Sequence, residues 1–399
     1  MCVTIKSTPR GDRAEGSVLI RKNRRKYRMN SKTPRNSVSR DGEKSESRDR
    51  ELLSVLAVAL VLLILLLCAF VPVAWRRAKA AAAEWELTHP NEKTESETTD
   101  PAQSNDAHVD RQETTDADVP TGFDTPIEGY LPITTEKTLT IAESAMDASH
   151  AILVDLTTGE AVAQRLADER IYPASMTKIM TVLVAVESLT TAELETAVTV
   201  SAEIVNAAIA EGASRAGFEP GERVKLIDLL YGAALPSGAD ATATLAQYLV
   251  GSEEQYVELM NAKAKQLGLN GTHFVNASGL HHDEHYSTVR EIAALMSYAM
   301  ENELCRKLLS AASYTTTATD IHPYGITLYS TTFSRMSTTT FGPVSVIAGK
   351  TGYTEEARFC LATLATRPDG REYVLVTVGG STKYTPVSDC DAVYGKYLF

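Results

Sequence analysis

Apolar and polar positions follow three regimes along the chain, and each predicts different structure. From Leu52 to Trp75 the sequence runs 24 residues without a charge. About 20 apolar residues suffice for a helix to span a bilayer core, so this run predicts a transmembrane segment. Residues 87–137 form the second regime. They are rich in Asp, Glu, Thr and Pro, with little to bury, and predict an extended linker. The third regime, from about residue 138 to 399, has the periodicities of a folded domain. Ala151 to Leu156 reads as a buried strand, Thr158-Gly159 as a turn, and Glu160 to Arg165 as the returning strand of a hairpin. Ser175 to Leu189 is helical in period, with serine at its start. Most of 200–270 is helical in pattern, including Leu226 to Tyr231 and Asp240 to Leu249, and Thr288 to Glu301 adds another helix. Val344 to Ile347, Cys360 to Thr366 and Tyr373 to Val378 read as strands, the last two separated by a Pro368-Asp369-Gly370 turn. Pro386 to Leu398 closes the chain as a helix. Strands at both ends with helices between them predict an α+β fold, a central antiparallel sheet flanked by helices.

Charge sharpens the outer organisation. Residues 1–50 hold 15 Lys and Arg against 6 Asp and Glu, while the whole chain carries −12. The head is therefore basic and the body strongly acidic, which argues against nucleic-acid binding by the body. The basic run Arg21 to Arg28 precedes the apolar segment, so the positive-inside bias puts the head in the cytoplasm and the body outside. Arg76, Arg77 and Lys79 on the outer flank run against that bias. Ala78-Lys79-Ala80 resembles a cleavage site, but the apolar run is longer than a signal h-region of roughly 7–15 residues, which favours a retained anchor. The expected division is 1–51 as a disordered cytoplasmic head, 52–75 as a single-pass anchor in the cell membrane, 76–137 as an extracytoplasmic acidic linker, and 138–399 as the catalytic domain. The five cysteines, Cys2, Cys68, Cys305, Cys360 and Cys390, are too scattered for a disulfide framework or a metal site, and no cofactor is expected.

Three short motifs carry candidate chemistry. Ser175-Met176-Thr177-Lys178 places a serine and a lysine three apart, hence on one helical face. A serine hydroxyl becomes a nucleophile only when a base takes its proton, and a lysine serves if burial or a second cation keeps it neutral. The helix start also offers N–H groups to a developing oxyanion. The plain alternative is an N-cap serine with a solvated lysine. Ser237-Gly238-Ala239 is a loop serine able to relay protons, or simply the cap before Asp240. Lys350-Thr351-Gly352, followed by Tyr353, supplies a second cation, a hydroxyl for a carboxylate, and a glycine that admits close backbone approach. The plain alternative there is a strand-end turn.

Taken together, a Ser-x-x-Lys and a Lys-Thr-Gly with a serine loop between them form the set known for penicillin-recognising serine enzymes. The chain resembles the low-molecular-mass penicillin-binding proteins that act as D-alanyl-D-alanine carboxypeptidases. The resemblance runs from about Ala142 to Gly380. It includes Tyr172 to Thr181, Asp228 to Tyr231, Met260-Asn261, Thr272 to Asn276, Gly279-Leu280 and Gly349 to Thr354. It implies a penicillin-binding or β-lactamase-like fold with an inserted helical subdomain. It also implies a peptidoglycan stem peptide ending in D-Ala-D-Ala as substrate, β-lactams as covalent inhibitors, and a part in cell-wall maturation. By the same resemblance Ser175 is acylated, Lys178 is the base, and Ser237 and Lys350 assist proton transfer. Thr351 helps bind the terminal carboxylate, and the N–H groups of Ser175 and Tyr353 form the oxyanion hole.

Two departures stand out. Ala239 occupies a position where the family usually has Asn, and 47 residues follow Gly352, so the β-rich C-terminal domain of many relatives is not expected here. The first opens an alternative, a catalytically impaired module that binds peptidoglycan. A β-lactamase is disfavoured for want of a further carboxylate motif. His281-His282-Asp283-Glu284-His285 invites a metal reading, but His-Glu-x-x-His is absent and a groove-lining loop is the simpler expectation.

Overall fold

The computed structural model of the chain describes residues 125–398. The expected head, the anchor at 52–75 and the linker as far as residue 124 lie outside the described residues. Among the described residues no helix is long and apolar enough to cross a membrane.

Eleven strands and eight α-helices make up the described part. β1 (Leu139–Thr140), β2 (His150–Asp155) and β3 (Glu160–Arg165) come first, and β2 and β3 are the expected hairpin. The long strands β9 (Val344–Thr354), β10 (Arg358–Thr366) and β11 (Glu372–Gly380) come last, with short β8 (Thr340–Phe341) before them. They join in one seven-stranded sheet of order β1-β3-β2-β11-β10-β9-β8. All pairings are antiparallel except β1 with β3. The N-terminal hairpin thus docks against the C-terminal meander, which brings residues two hundred positions apart into register, for example Val154 opposite Val374.

Helices cover both faces. α1 (Lys178–Ser188), α6 (Val289–Glu301) and α7 (Glu303–Ser310) share one core with α3 (Leu226–Ala234), α4 (Ala239–Val250) and α5 (Glu253–Gln266). α1 is apolar on nearly every side and buried from Lys178 to Val186, as a helix enclosed by others must be. The opposite sheet face packs on α8 (Thr385–Tyr397) through Val393 and Tyr394. α2 (Ala202–Ala210) and the small ribbon β4 (Ala197–Thr199) with β5 (Arg223–Lys225) complete the helical insertion, and β6 (Ser313–Thr315) pairs with β7 (Thr327–Tyr329) beside it. The α+β fold is as expected.

The expected linker is corrected at its end, since residues 125–137 lie on the domain. Ile127 N–H bonds Gln266 O, and Ile133 exchanges backbone bonds with the Gly159–Ala161 segment. Arg290 binds Pro132 O and Thr134. Such contacts are made mostly by backbone, which a polar composition does not reveal.

Candidate active site

The three motifs arrive from three elements and meet in one cleft of about 330 Å³. Ser175 sits on a 3-10 turn, Ala174–Thr177, that feeds directly into α1. It is not an N-cap, as the plain alternative supposed, because Thr177 holds that place and no side chain caps the helix. The turn is strained at Ala174, whose φ of 47° lies in the left-handed region. Lys178, one turn on and 2 % exposed, places Nζ 3.2 Å from Ser175 Oγ. The same ammonium nitrogen donates to Ser278 O at 2.6 Å. Burial brings Lys178 down to about 7, while the charges of Asp240 and Glu253 hold it from falling further. A lysine with that value is about half neutral at pH 7, against about one part in 3,000 for a solvated one. The pair can therefore do what its spacing promised.

Lys350 is fully buried and lies inside β9, not in a strand-end turn. Its Nζ donates to Ser237 Oγ at 2.9 Å and to Thr351 O at 3.1 Å. Burial, then repulsion from Lys178 and Arg335, pushes it well below the ordinary lysine range. An anion entering the cleft would favour its protonated form. Ser237 itself has φ of 67°, a second strained residue at the site. Gly238 is required beside it, because a Cβ there would meet Asp240 Oδ1 at 2.5 Å and Ala216 N at 2.6 Å. Asp240 in turn accepts from the N–H groups of Ala216, Gly217 and Ala241, which fixes the serine loop against the start of α4.

Thr351 shares a 2.7 Å hydrogen bond with Thr331, and both line the cleft. At Gly352 a Cβ would lie 2.9 Å from Pro173 O and 3.2 Å from Ser175 N. Strand β9 can approach the nucleophile turn only because that residue has no side chain. Tyr353 follows, its ring tilted against that of Phe359 with centroids 4.3 Å apart at the cleft wall. All seven residues expected at the site, Ser175, Lys178, Ser237, Lys350, Thr351, Gly352 and Tyr353, thus gather in or directly beneath one cleft.

Ala239 does not line this cleft. Its N–H donates to Ser214 O, and its methyl faces an adjoining cavity of about 300 Å³ that shares Ser278 with the first. Several cleft residues carried no motif. Ser278 contributes a carbonyl, Arg335 a guanidinium whose buried Nη1 has no hydrogen-bond partner, and Lys383 a further cation. The histidine cluster is structural at its inner end. His285 Nδ1 accepts from Val275 N–H, so its proton sits on Nε2 and is donated to Thr177 Oγ1 at 2.7 Å. Burial holds His285 down at about 3, so it stays neutral. Among the described residues no group of His, Cys, Asp and Glu is placed to hold a metal ion.

A serine on a strained turn with a buried lysine at hydrogen-bond distance, and a second lysine buried beneath the same cleft, define the class of serine–lysine acyl-transfer sites. Comparison with known proteins specifies it. The chain belongs to the D-alanyl-D-alanine carboxypeptidase family, which it matches over residues 136–382. It is 34% identical over 241 residues to D-alanyl-D-alanine carboxypeptidase DacF of Bacillus subtilis, covering 60% of this chain and 59% of that one. It is 38% identical over 161 residues to D-alanyl-D-alanine carboxypeptidase DacC of Escherichia coli, covering 39% and 40%. The chain thus spans about half the length of these relatives. The crystal structure of the Streptomyces K15 DD-transpeptidase superposes with a TM-score of 0.56 at 29% identity, covering 63% of this chain and 97% of that one.

Proposed function

We propose that the protein is a serine D-alanyl-D-alanine carboxypeptidase that trims peptidoglycan stem peptides through an acyl-enzyme at Ser175. The observation that carries the reading is the 3.2 Å approach of Lys178 Nζ to Ser175 Oγ, with the lysine buried. Ser175 Oγ attacks the carbonyl carbon of the penultimate D-alanine, and its proton passes to neutral Lys178. The oxyanion is met by the N–H groups of Ser175 and Tyr353. The C–N bond then breaks, and the departing D-alanine amine takes a proton through Ser237 and Lys350, which are already hydrogen-bonded. Thr351 receives the terminal carboxylate. Water then attacks the ester, the bond to Oγ breaks, and the proton returns to the serine. A β-lactam enters the same sequence, but its leaving amine stays tethered by the opened ring, so it remains on the serine. The intact Ser–Lys geometry disfavours an inert binding module.

The location belongs to the same proposal. Residues 52–75 would anchor the chain in the bacterial cell membrane, with the basic head inside and the enzyme outside, close to its substrate. Support comes from the uncharged length of that run and the basic residues before it.

The test is intact-mass spectrometry of the full-length protein with benzylpenicillin, alongside D-alanine release from a peptide ending in D-Ala-D-Ala. One whole penicillin should add, on the peptide containing Ser175, and D-alanine should appear. A folded protein that binds the peptide yet never acylates overturns the enzymatic reading. Protease added to wall-stripped cells should remove the domain and spare the head; a protected domain refutes the topology.

A further inference from the structure

The cleft is lined by Lys178, Arg335 and Lys383, with Lys350 buried beneath, and by no carboxylate. Cations this close disfavour one another's charged forms. A general base works best with a pKa near the working pH, so a base weakened too far loses proton affinity. The two buried lysines differ in their acidic company. The groups acting on Lys350 are Lys178 and Arg335, both repulsive. Those acting on Lys178 are Asp240 at the start of α4 and Glu253 at the start of α5, both attractive. His285, from the loop before α6, is neutral.

Asp240 is engaged by three backbone N–H groups and serves the serine loop. Glu253 is placed otherwise. It is half-buried, while its neighbour Glu254 is exposed and suffices for the helix end. Its Oε1 accepts from Ala277 N–H at 2.7 Å, one residue before the carbonyl that receives Lys178 Nζ. The same segment is held by Thr181 Oγ1 on Ala277 O at 2.7 Å and by Asn276 Oδ1, which accepts from Ser278 and Gly279 N–H. Glu253 also lines the cavity that Ala239 faces, on the far side of Ser278 from the cleft.

We propose that Glu253 is a positioning residue for acylation: its carboxylate, fastened to the Ala277–Ser278 segment, joins Asp240 in supplying the negative charge that keeps Lys178 a competent base in a cleft whose charged lining groups are all cations. Burial pushes Glu253 itself up, opposed by the Ala277 hydrogen bond and by Lys178, while Glu211 and Glu254 add repulsion. The lysine and the carboxylate thus support each other's charge. The truncated side chain at 239 gives this charge added weight, because no amide from that position reaches the lysine.

The inference rests on the acylation of Ser175 proposed above, and its test separates the two. Glu253→Gln keeps an oxygen that can accept from Ala277 and removes only the charge. The pH profile of penicillin acylation would be recorded for the full-length wild type and this variant, with thermal melts of both. The wild type should show a rate rising with pH and levelling near 7, as Lys178 loses its proton. In Glu253→Gln that limb should move to lower pH by on the order of half a unit, because an opposite charge has been withdrawn. The plateau should fall by up to about threefold as the base weakens, the limit that a half-unit loss of basicity sets. Glu253→Asp should return the limb toward the wild-type position. An unmoved limb and plateau in a folded Glu253→Gln overturn the inference while leaving the function intact. A wild type that never acylates overturns the function itself.

Discussion

Gly352→Ala is a sensitive probe of how the strand and the nucleophile turn work together. The added methyl would lie 2.9 Å from Pro173 O, 3.1 Å from Ala174 Cβ and 3.2 Å from Ser175 N. Two of these atoms are backbone, and the third belongs to a residue already strained at φ 47°, so no flexible side chain can swing aside. β9 is also fixed from its other side, since Gly352 stands opposite Cys360 and Tyr353 opposite Phe359 in the ladder with β10. The misfit must appear as a shift of several tenths of an ångström between strand and turn, which carry the Tyr353 and Ser175 N–H groups proposed as oxyanion donors. Overpacking of this kind costs about 1–3 kcal/mol of stability. In a domain of this size that lowers Tm by roughly 2–4 °C per kcal/mol. Displacing one oxyanion donor costs about 10²–10³ in rate. Acylation should therefore fall by about that factor while the domain stays folded. Stopped-flow or quenched acylation by benzylpenicillin, read as intact mass, measures the rate, and far-UV circular dichroism gives the melt. A Gly352→Ala protein acylating within about threefold of wild type would refute the close approach of β9 as part of the chemistry, since even a tenfold loss corresponds to only 1.4 kcal/mol.

Further expectations follow from single contacts. Lys178→Ala should slow acylation by about 10²–10⁴, the usual worth of a positioned general base, with little change in melting temperature; a loss below tenfold would point to another base. His285→Leu should destabilise the domain by about 1–3 kcal/mol, because it strands both the Val275 N–H and the Thr177 hydroxyl. In the wild type, His285 has its folded value depressed from 6.5 to about 3, so the unfolded chain binds the extra proton between those limits. Its contribution should be fully present above pH 6.5 and be lost progressively as pH falls toward 3; chemical denaturation of wild type against His285→Gln across that window reads it, and equal slopes would refute it. Ala239→Asn should leave acylation similar or raise it, since the added amide enters a cavity of about 300 Å³ beside Ser278; a large loss measured in the same acylation assay would show that the short side chain is required.

How much of this was legible in the sequence depended on distance along the chain. Ser175 and Lys178 lie one helical turn apart, so local periodicity already put Oγ and Nζ on one face. The hairpin of β2 and β3 announced itself through Thr158-Gly159 and two apolar runs. Lys350 was harder. From composition it could as well have been a solvated lysine at a strand end, and only its burial within β9, opposite Ala362, gives it another character. Its bond to Ser237 spans 113 residues, beyond any local pattern. Arg335, Ser278 and Glu253 had no signal of their own. Ser278 acts through its carbonyl, Arg335 sits on a short 3-10 turn, and Glu253 reads as an acidic residue in the first turn of a helix. The segment 125–137 has the composition of a linker, and its attachment to the domain runs largely through backbone, which composition does not register.

The substitution at 239 is intelligible once charge is considered across the whole site and not motif by motif. An asparagine amide would offer a lysine an acceptor but no net charge. Here the acceptor role falls to Ser278 O at 2.6 Å, a backbone group that cannot be lost by substitution of its own side chain. The charge balance falls to Asp240 and Glu253, which act on Lys178 through space. Lys178 settles near neutrality, whereas Lys350, with only cations acting on it, is driven well below the ordinary range. The asymmetry suits a site in which one lysine must take a proton from Ser175 and the other must await an anion. Truncation at 239 removes an acceptor whose role Ser278 O already fills, and leaves the charge balance of Asp240 and Glu253 untouched, so the same serine chemistry remains physically available to this chain.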